Sequence, residues 1–194
     1  MRFEYAPAPE SRDVVTIRPS YGLFINGEFT DPRSGECRKT VNPANEEVLA
    51  EVAEADASDV DVAVRAARQA YETVWGPMRG SDRAKYLFRI ARIIQERSRE
   101  LAVLESIDNG KPIKESRDVD LPLVAAHFFY YAGWADKLAY AGLGPDPKPL
   151  GVAGQVIPWN FPLLMLAWKV APALATGNTV VLKPAETTPL TALT

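Results

Sequence analysis

Cysteine and histidine are almost missing from these 194 residues, which carry one of each, Cys37 and His127. A lone cysteine excludes an internal disulfide framework and a cysteine-rich zinc site. A lone histidine leaves no set of metal ligands and no Ser–His pair, so no metal is expected. Both scarcities favour a reducing compartment, read here as the cytoplasm. No signal peptide is expected either, since "MRFEYAPAPESRD" puts acids and prolines where a continuous apolar region is needed. The longest apolar stretch, "FPLLMLAWKVAPALA", is broken by Lys169 and Pro172 and is too short to span a bilayer. A net charge of −3, with no basic block, speaks against nucleic-acid and membrane partners. The one approach to a dinucleotide fingerprint, Gly142-x-Gly144-x-x-Pro147, lacks its third glycine and any strand–helix context. No internal repeat stands out.

What remains is the composition of an ordinary soluble domain, 47% hydrophobic and 24% charged. Residues 1–20, with Pro7, Pro9 and Pro19, read as an arm. Residues 21–140 read as hairpins followed by helices. Asn26-Gly27 in "GLFINGEF" suits a positive-φ hairpin turn. A second turn at "DPRSGE" and a third at Asn42–Asn45 lead to an alternating strand around Val48 to Val52. Ser58 and Asp61 offer a capping box for a helix with Val60, Val64, Ala67, Tyr71 and Val74 on one face. Ser81 opens a second helix whose period runs to Ile107, stopped by Asn109-Gly110, and a third covers about Val119 to Tyr140. Leu121-Pro122 falls in its first turn.

Residues 141–150 form a linker, and residues 151–194 read as strand, helix, strand and the start of a helix. Thr188 would cap that last helix and Pro189 take its first position. This is a right-handed βαβ unit, the beginning of a parallel sheet. Such a sheet needs more strands to be buried on both faces. The chain is therefore expected to be the front portion of a larger protein.

In open α/β sheets ligands bind beyond the carboxyl ends of the strands. Two loops take that place, "PWNF" after Ile157 and "KPAETTP" after Leu182, and together they predict a shared crevice. Asn160 brings a carboxamide to its mouth, between Pro158 and Pro162. Two uses stand open: a helix cap, or a donor for a developing oxyanion. Lys183 and Glu186 are either an exposed ion pair of little consequence or a grip on ribose hydroxyls, in which the carboxylate would repel a 2′-phosphate. Cys37 reads as an incidental surface thiol. His127, among aromatics on a helix, reads as a packed residue.

The segments "LFINGEF", "VNPANEEV", "DNGKP", "YYAGWADK", "GVAGQVIPWNFPLLMLAWKVAPALATGNTVVLKPAE" and "TPLTAL" occur in order and at suitable spacing. Together they resemble the N-terminal part of the NAD(P)-dependent aldehyde dehydrogenase superfamily, from about residue 20 to the last residue. The resemblance implies an α/β fold: N-terminal β-hairpins, a helical layer and the first part of a Rossmann-like cofactor-binding domain, with its parallel sheet incomplete. It implies that Asn160 is the oxyanion-hole asparagine. Ile157, Pro158, Trp159, Asn160, Lys183, Ala185 and Glu186 would border the cofactor, NAD rather than NADP. Phe161, Met165 and Trp168 would line the tunnel for the aldehyde substrate. Asp108, with backbone groups near Val41 and Thr187, resembles a monovalent-cation site found in some members.

In that superfamily a cysteine thiolate attacks the aldehyde and a glutamate-activated water releases the acid. Neither residue is expected within this sequence, and Cys37 lies in the wrong region to replace the nucleophile. The chain alone is therefore expected to be inactive, although the full-length protein would be a homo-oligomeric oxidoreductase. The connection between "GWADK" and "GQVIPWNFP" is shorter than usual, shortening an oligomerisation hairpin. The alternative is a noncatalytic binding or scaffold relative. A CoA-acylating relative is disfavoured by Glu186 and the intact "PWNFP".

Overall fold

Asn26 and Gly27 both adopt positive φ, 54° and 88°, and close an antiparallel hairpin of β2 (Leu23–Ile25) and β3 (Glu28–Thr30). That is the primed turn the dipeptide favours. In this computed structural model, which describes residues 10–142, 144 and 146–194, a second sheet is separate from the hairpin. It orders β1 (Ser20–Tyr21), β5 (Val48–Ala53) and β4 (Cys37–Val41), with β1 parallel and β4 antiparallel to the central strand. Pro7 and Pro9 of the expected arm fall outside the described residues. Cys37 is the exposed first residue of β4.

Helix α1 (Ala57–Ala70) is entered through a capping box two residues earlier than expected: Asp56 is the cap and Asp59 reaches back, not Ser58 and Asp61. Both pairs share the three-residue spacing, and Asp59 is in addition buried against the Arg33 amide, which fixes the register. Of the expected face, Val60, Val64 and Val74 are exposed, while Ala67 and Tyr71 are half-buried, as are Ala63 and Ala66 beside them. Small residues allow the close approach in which Thr179 donates to the Ala67 carbonyl at 2.9 Å. A π-turn over Tyr71–Trp75 ends this helix.

The expected long second helix is two helices, α2 (Gly80–Glu96) and α3 (Ser98–Asn109). Arg97, at φ −96° and ψ 12°, breaks the period, and Ser81 caps nothing. The break lets α2 pack Leu87, Ala91 and Ile94 into the main core while α3 sends Leu104 into a second cluster with Tyr21, Ala50 and Leu190. Gly110 terminates α3 in the left-handed conformation, φ 82°; a Cβ there would also meet the Pro43 ring at 2.6 Å. The short α4 (Ile113–Glu115) passes through a π-turn, Ser116–Asp120, into α5 (Leu121–Trp134). The third helix is therefore shorter at both ends than its pattern suggests, and Pro122 does lie in its first turn.

The last segment is the βαβ unit: β6 (Val152–Val156), α6 (Pro162–Ala175) and β7 (Thr179–Lys183), with β6 and β7 parallel from Val152↔Thr179 to Val156↔Lys183. Helix α6 buries Leu163, Leu164, Ala167, Ala171 and Ala175 against α2 and α5, forming the larger core. After β7 only a 3-10 turn, Leu190–Ala192, follows, and Thr188 does not cap it. Its hydroxyl is directed at the Trp159 carbonyl instead. The architecture is α/β, with hairpins, a helical layer and a two-stranded parallel sheet. No helix among the described residues is long and apolar enough to cross a membrane.

Candidate catalytic and cofactor site

The chain leaves β6 at Val156 and enters α6 at Pro162, so Pro158–Phe161 form the corner at the carboxyl end of the strand. Phe161 occupies the cap position of α6, and no side chain of that residue closes it. Asn160 is exposed, and its carboxamide makes no hydrogen bond among the described residues. The capping use of this asparagine is thus not realised. Its neighbours are held. The Trp159 carbonyl accepts from Asn109 Nδ2 at 2.5 Å and from Thr188 Oγ1 at 3.5 Å. The first free N–H of α6, that of Leu163, donates to Glu105 Oε2 at 3.2 Å.

Glu105 belongs to a buried cluster beneath the corner. Lys111 Nζ lies 2.5 Å from Asp120 Oδ2 and 3.6 Å from Glu105 Oε1. The same ammonium sits 4.3 Å from the centre of the Phe161 ring. Burial pushes the Glu105 carboxyl above the ordinary carboxylate range; Lys111 and the Leu163 amide pull it down, and the hydrogen bond shared with Asp120 pushes it up. Asp108, one turn further along α3, is pushed up to about 7 by burial, against the pull of the Leu190 amide and the Thr40 hydroxyl. Those two donors hold its oxygens at 2.8 and 3.2 Å.

The second loop follows β7. Lys183 Nζ reaches Glu186 Oε1 at 2.6 Å and the Pro184 carbonyl at 3.1 Å. Both charged heads are exposed, and the ammonium hydrogen bond holds the Glu186 carboxyl below its usual range. Trp159 and Glu186 line one cleft of about 350 Å³, together with Thr40, Val41, Asp108 and Thr187. The two loops therefore share a crevice, and the three positions of the expected cation site border it.

Pro158 and Trp159 are exposed, whereas Ile157 and Ala185 are buried, at 2% and 7% exposure, and offer a ligand little open side-chain surface. Phe161, Met165 and Trp168 share one face of α6, with Phe161 and Trp168 open. His127 packs edge-on to Trp168 at 5.4 Å and stacks on Tyr131 at 6.5 Å, and burial lowers its pKa.

Glu105, Lys111, Asp120 and Asn109, which contact the corner or one another beneath it, have no such place in the sequence reading. A signal existed for one: Glu105 shares a helical stripe with the buried Leu101 and Asp108, an acid where an apolar residue belongs. Lys111 and Asn109 lie in "DNGKP", which reads as a helix stop until the fold brings it under the corner.

Residues 29–194 match the model of the aldehyde dehydrogenase family. The chain is 51% identical over 179 residues to "Aldehyde dehydrogenase family 2 member B4, mitochondrial" of Arabidopsis thaliana, covering 88% of this chain and 33% of that protein. It is 48% identical over 197 residues to "Aldehyde dehydrogenase, mitochondrial" of Rattus norvegicus, covering 96% and 37%. Among solved structures, the NAD+ complex of an aldehyde dehydrogenase from Bacillus cereus superposes with a TM-score of 0.83 at 46% identity, covering 90% of this chain and 37% of that one. The chain spans about a third of the length of these relatives.

Proposed function

The chain belongs to the aldehyde dehydrogenase family, and on that premise we propose that it supplies the oxyanion donor and part of the NAD site of an enzyme oxidising an aldehyde to a carboxylic acid. The observation that carries this reading is the corner itself. Asn160 presents an unengaged carboxamide at the carboxyl end of β6, while its neighbours Trp159 and Leu163 are tied down by Asn109 and Glu105. A fixed donor that needs no reorganisation is what stabilises charge developing on a carbonyl oxygen.

In the proposed reaction a cysteine thiolate adds to the aldehyde carbon and the carbonyl oxygen becomes a tetrahedral oxyanion, to which the Asn160 N–H donates. That cysteine belongs to the part of the protein outside these residues; Cys37 is an exposed residue of β4. On this reading the 194 residues alone do not turn over aldehyde. NAD would supply the hydride acceptor. Lys183 and Glu186 fit its ribose, because both heads are exposed and offer N–H donors and a carboxylate acceptor. The Glu186 charge would disfavour the 2′-phosphate of NADP. Trp159 would wall the crevice, and Phe161, Met165 and Trp168 would guide the aldehyde, with no base or metal required of this part.

The whole protein is proposed to act as a homo-oligomer. The single cysteine supports a reducing compartment, the cytoplasm being the simplest, although several relatives are named as mitochondrial. The test is NADH formation from a panel of aldehydes by the protein that the full reading frame encodes. The proposal expects aldehyde-dependent NADH, formed faster with NAD than NADPH is with NADP. A folded protein that reduces neither cofactor with any aldehyde would favour the noncatalytic alternative.

A further inference from the structure

Several ties hold the corner that carries Asn160, and none touches the Asn160 side chain. On one side Asn109 and Thr188 hold the Trp159 carbonyl. On the other, Glu105 holds the Leu163 N–H. Between them, on the residue next to Asn160, the Lys111 ammonium lies 4.3 Å from the Phe161 ring centre. Lys111 joins these supports, since it also pairs with Asp120 at 2.5 Å and faces Glu105 at 3.6 Å. We infer that Lys111 is a positioning residue for the loop bearing Asn160, acting through the Phe161 ring and through the Glu105 carboxylate that holds the α6 N-terminus.

Stability alone does not account for such a cluster. The side chains of Lys111, Glu105 and Asp120 are 11%, 0% and 1% exposed. A buried ionic cluster is often no more stabilising than apolar residues of equal volume. What apolar residues cannot supply is direction. The ammonium holds Asp120, on the turn into α5, and Glu105, on α3, in fixed relation to one aromatic face on the loop. An oxyanion donor must be held to roughly 0.5 Å. Without the cation, Glu105 and Asp120 become neighbouring buried acids with no countercharge, a setting that favours the neutral form of Glu105. Glu105 is then a poorer acceptor for the Leu163 N–H, and Phe161 loses the charge that seats its ring. Ser106 reinforces the arrangement by donating its hydroxyl to the Lys111 carbonyl at 2.7 Å.

The purpose of this arrangement rests on the reading of Asn160 as an oxyanion donor, but its test does not use turnover. Backbone 15N relaxation of the 194-residue chain compares wild type with Lys111→Met, Lys111→Arg and the double variant Lys111→Met/Asp120→Asn. The double variant removes the cation without leaving two unpaired acids, and it decides the matter if the single Met variant does not fold. In wild type the amides of Trp159, Asn160 and Phe161 should show rigid order parameters, about 0.85, falling toward about 0.6 without the cation. Thr176 and Asn178, at the far end of α6, should not change, and Lys111→Arg should restore order. Unchanged order at 159–161 in the double variant would overturn the inference. So would equal loosening at both ends of α6, or equal loosening in the Arg and Met variants. A positive result with an inactive full-length enzyme would leave this inference standing and remove the catalytic reading; a negative result with an active one would do the reverse.

Discussion

The two ends of α6 are anchored by opposite charges from other helices, but by different means. At the C-terminal end Arg83 of α2, buried, donates to the Ala175 carbonyl at 3.3 Å and to the Met78 carbonyl. Burial lowers its pKa, and among the described residues no carboxylate accompanies it. At the N-terminal end an acid of α3 accepts from the helix, and it brings a lysine and a second acid with it. Each sign suits the helix dipole. The C-terminal anchor closes the Ala175 carbonyl of α6, with the Met78 carbonyl ahead of α2, and ends there. The N-terminal anchor puts three ionisable groups in the interior to hold a corner whose most polar residue stays unengaged. Costly polar burial at one end and economy at the other is the pattern expected where a fold carries a site.

Removing the hub should break that contrast most severely. Lys111→Met leaves Glu105 and Asp120 as an uncompensated acid pair, costing about 3–5 kcal/mol in urea unfolding near pH 8. The deficit should shrink toward pH 5, where Glu105, pushed up to about 7 by burial, takes up a proton. Arg83→Met leaves two carbonyls unpaired at the other end and should cost roughly 2–3 kcal/mol, with little dependence on pH between 5 and 8. If the two deficits had the same pH dependence, the two ends would not differ in the way described.

Glu105→Gln sharpens the contrast through linkage. The folded carboxyl titrates above the unfolded value of 4.5, so the folded state holds a proton that the unfolded chain releases. Its contribution to stability is full below about 4.5 and is lost as pH rises toward about 7. Asp108, raised from 3.8 to about 7, acts with the same sign. Wild type should therefore lose stability from pH 5 to 7, and Glu105→Gln should reduce that loss by roughly 1–3 kcal/mol. An unchanged slope would mean that Glu105 stays ionised. The smallest effect is expected in the other loop: Lys183→Ala breaks an exposed pair and should change stability by less than about 1 kcal/mol, yet it should weaken NAD binding in calorimetry.

Local chemistry made part of this legible beforehand. Asn26-Gly27, Gly110 and the strand–helix–strand spacing of residues 151–183 each act within a few residues, and the two loops with their shared crevice followed from the parallel connection. The break at Arg97 was illegible because nothing in its neighbourhood in the sequence requires it. The inward face of α1 was legible only at Ala67 and Tyr71, because valines outrank alanines as apolar signals, while close packing beside β7 demands small residues. In the site, Asn160 stood out by sequence, and its supports did not. Lys111 and Asn109 look like an exposed helix stop until α3, α5 and α6 converge on them.

Stability and turnover measured on one variant, Asn160→Ala, test the central claim most directly. If the corner is held by its neighbours and Asn160 is free to serve an oxyanion, the urea midpoint of the variant should match wild type to within about 0.5 kcal/mol. In the full-length enzyme kcat should then fall by roughly 10²–10³. A loss of more than about 1 kcal/mol with kcat unchanged would make Asn160 a helix cap after all.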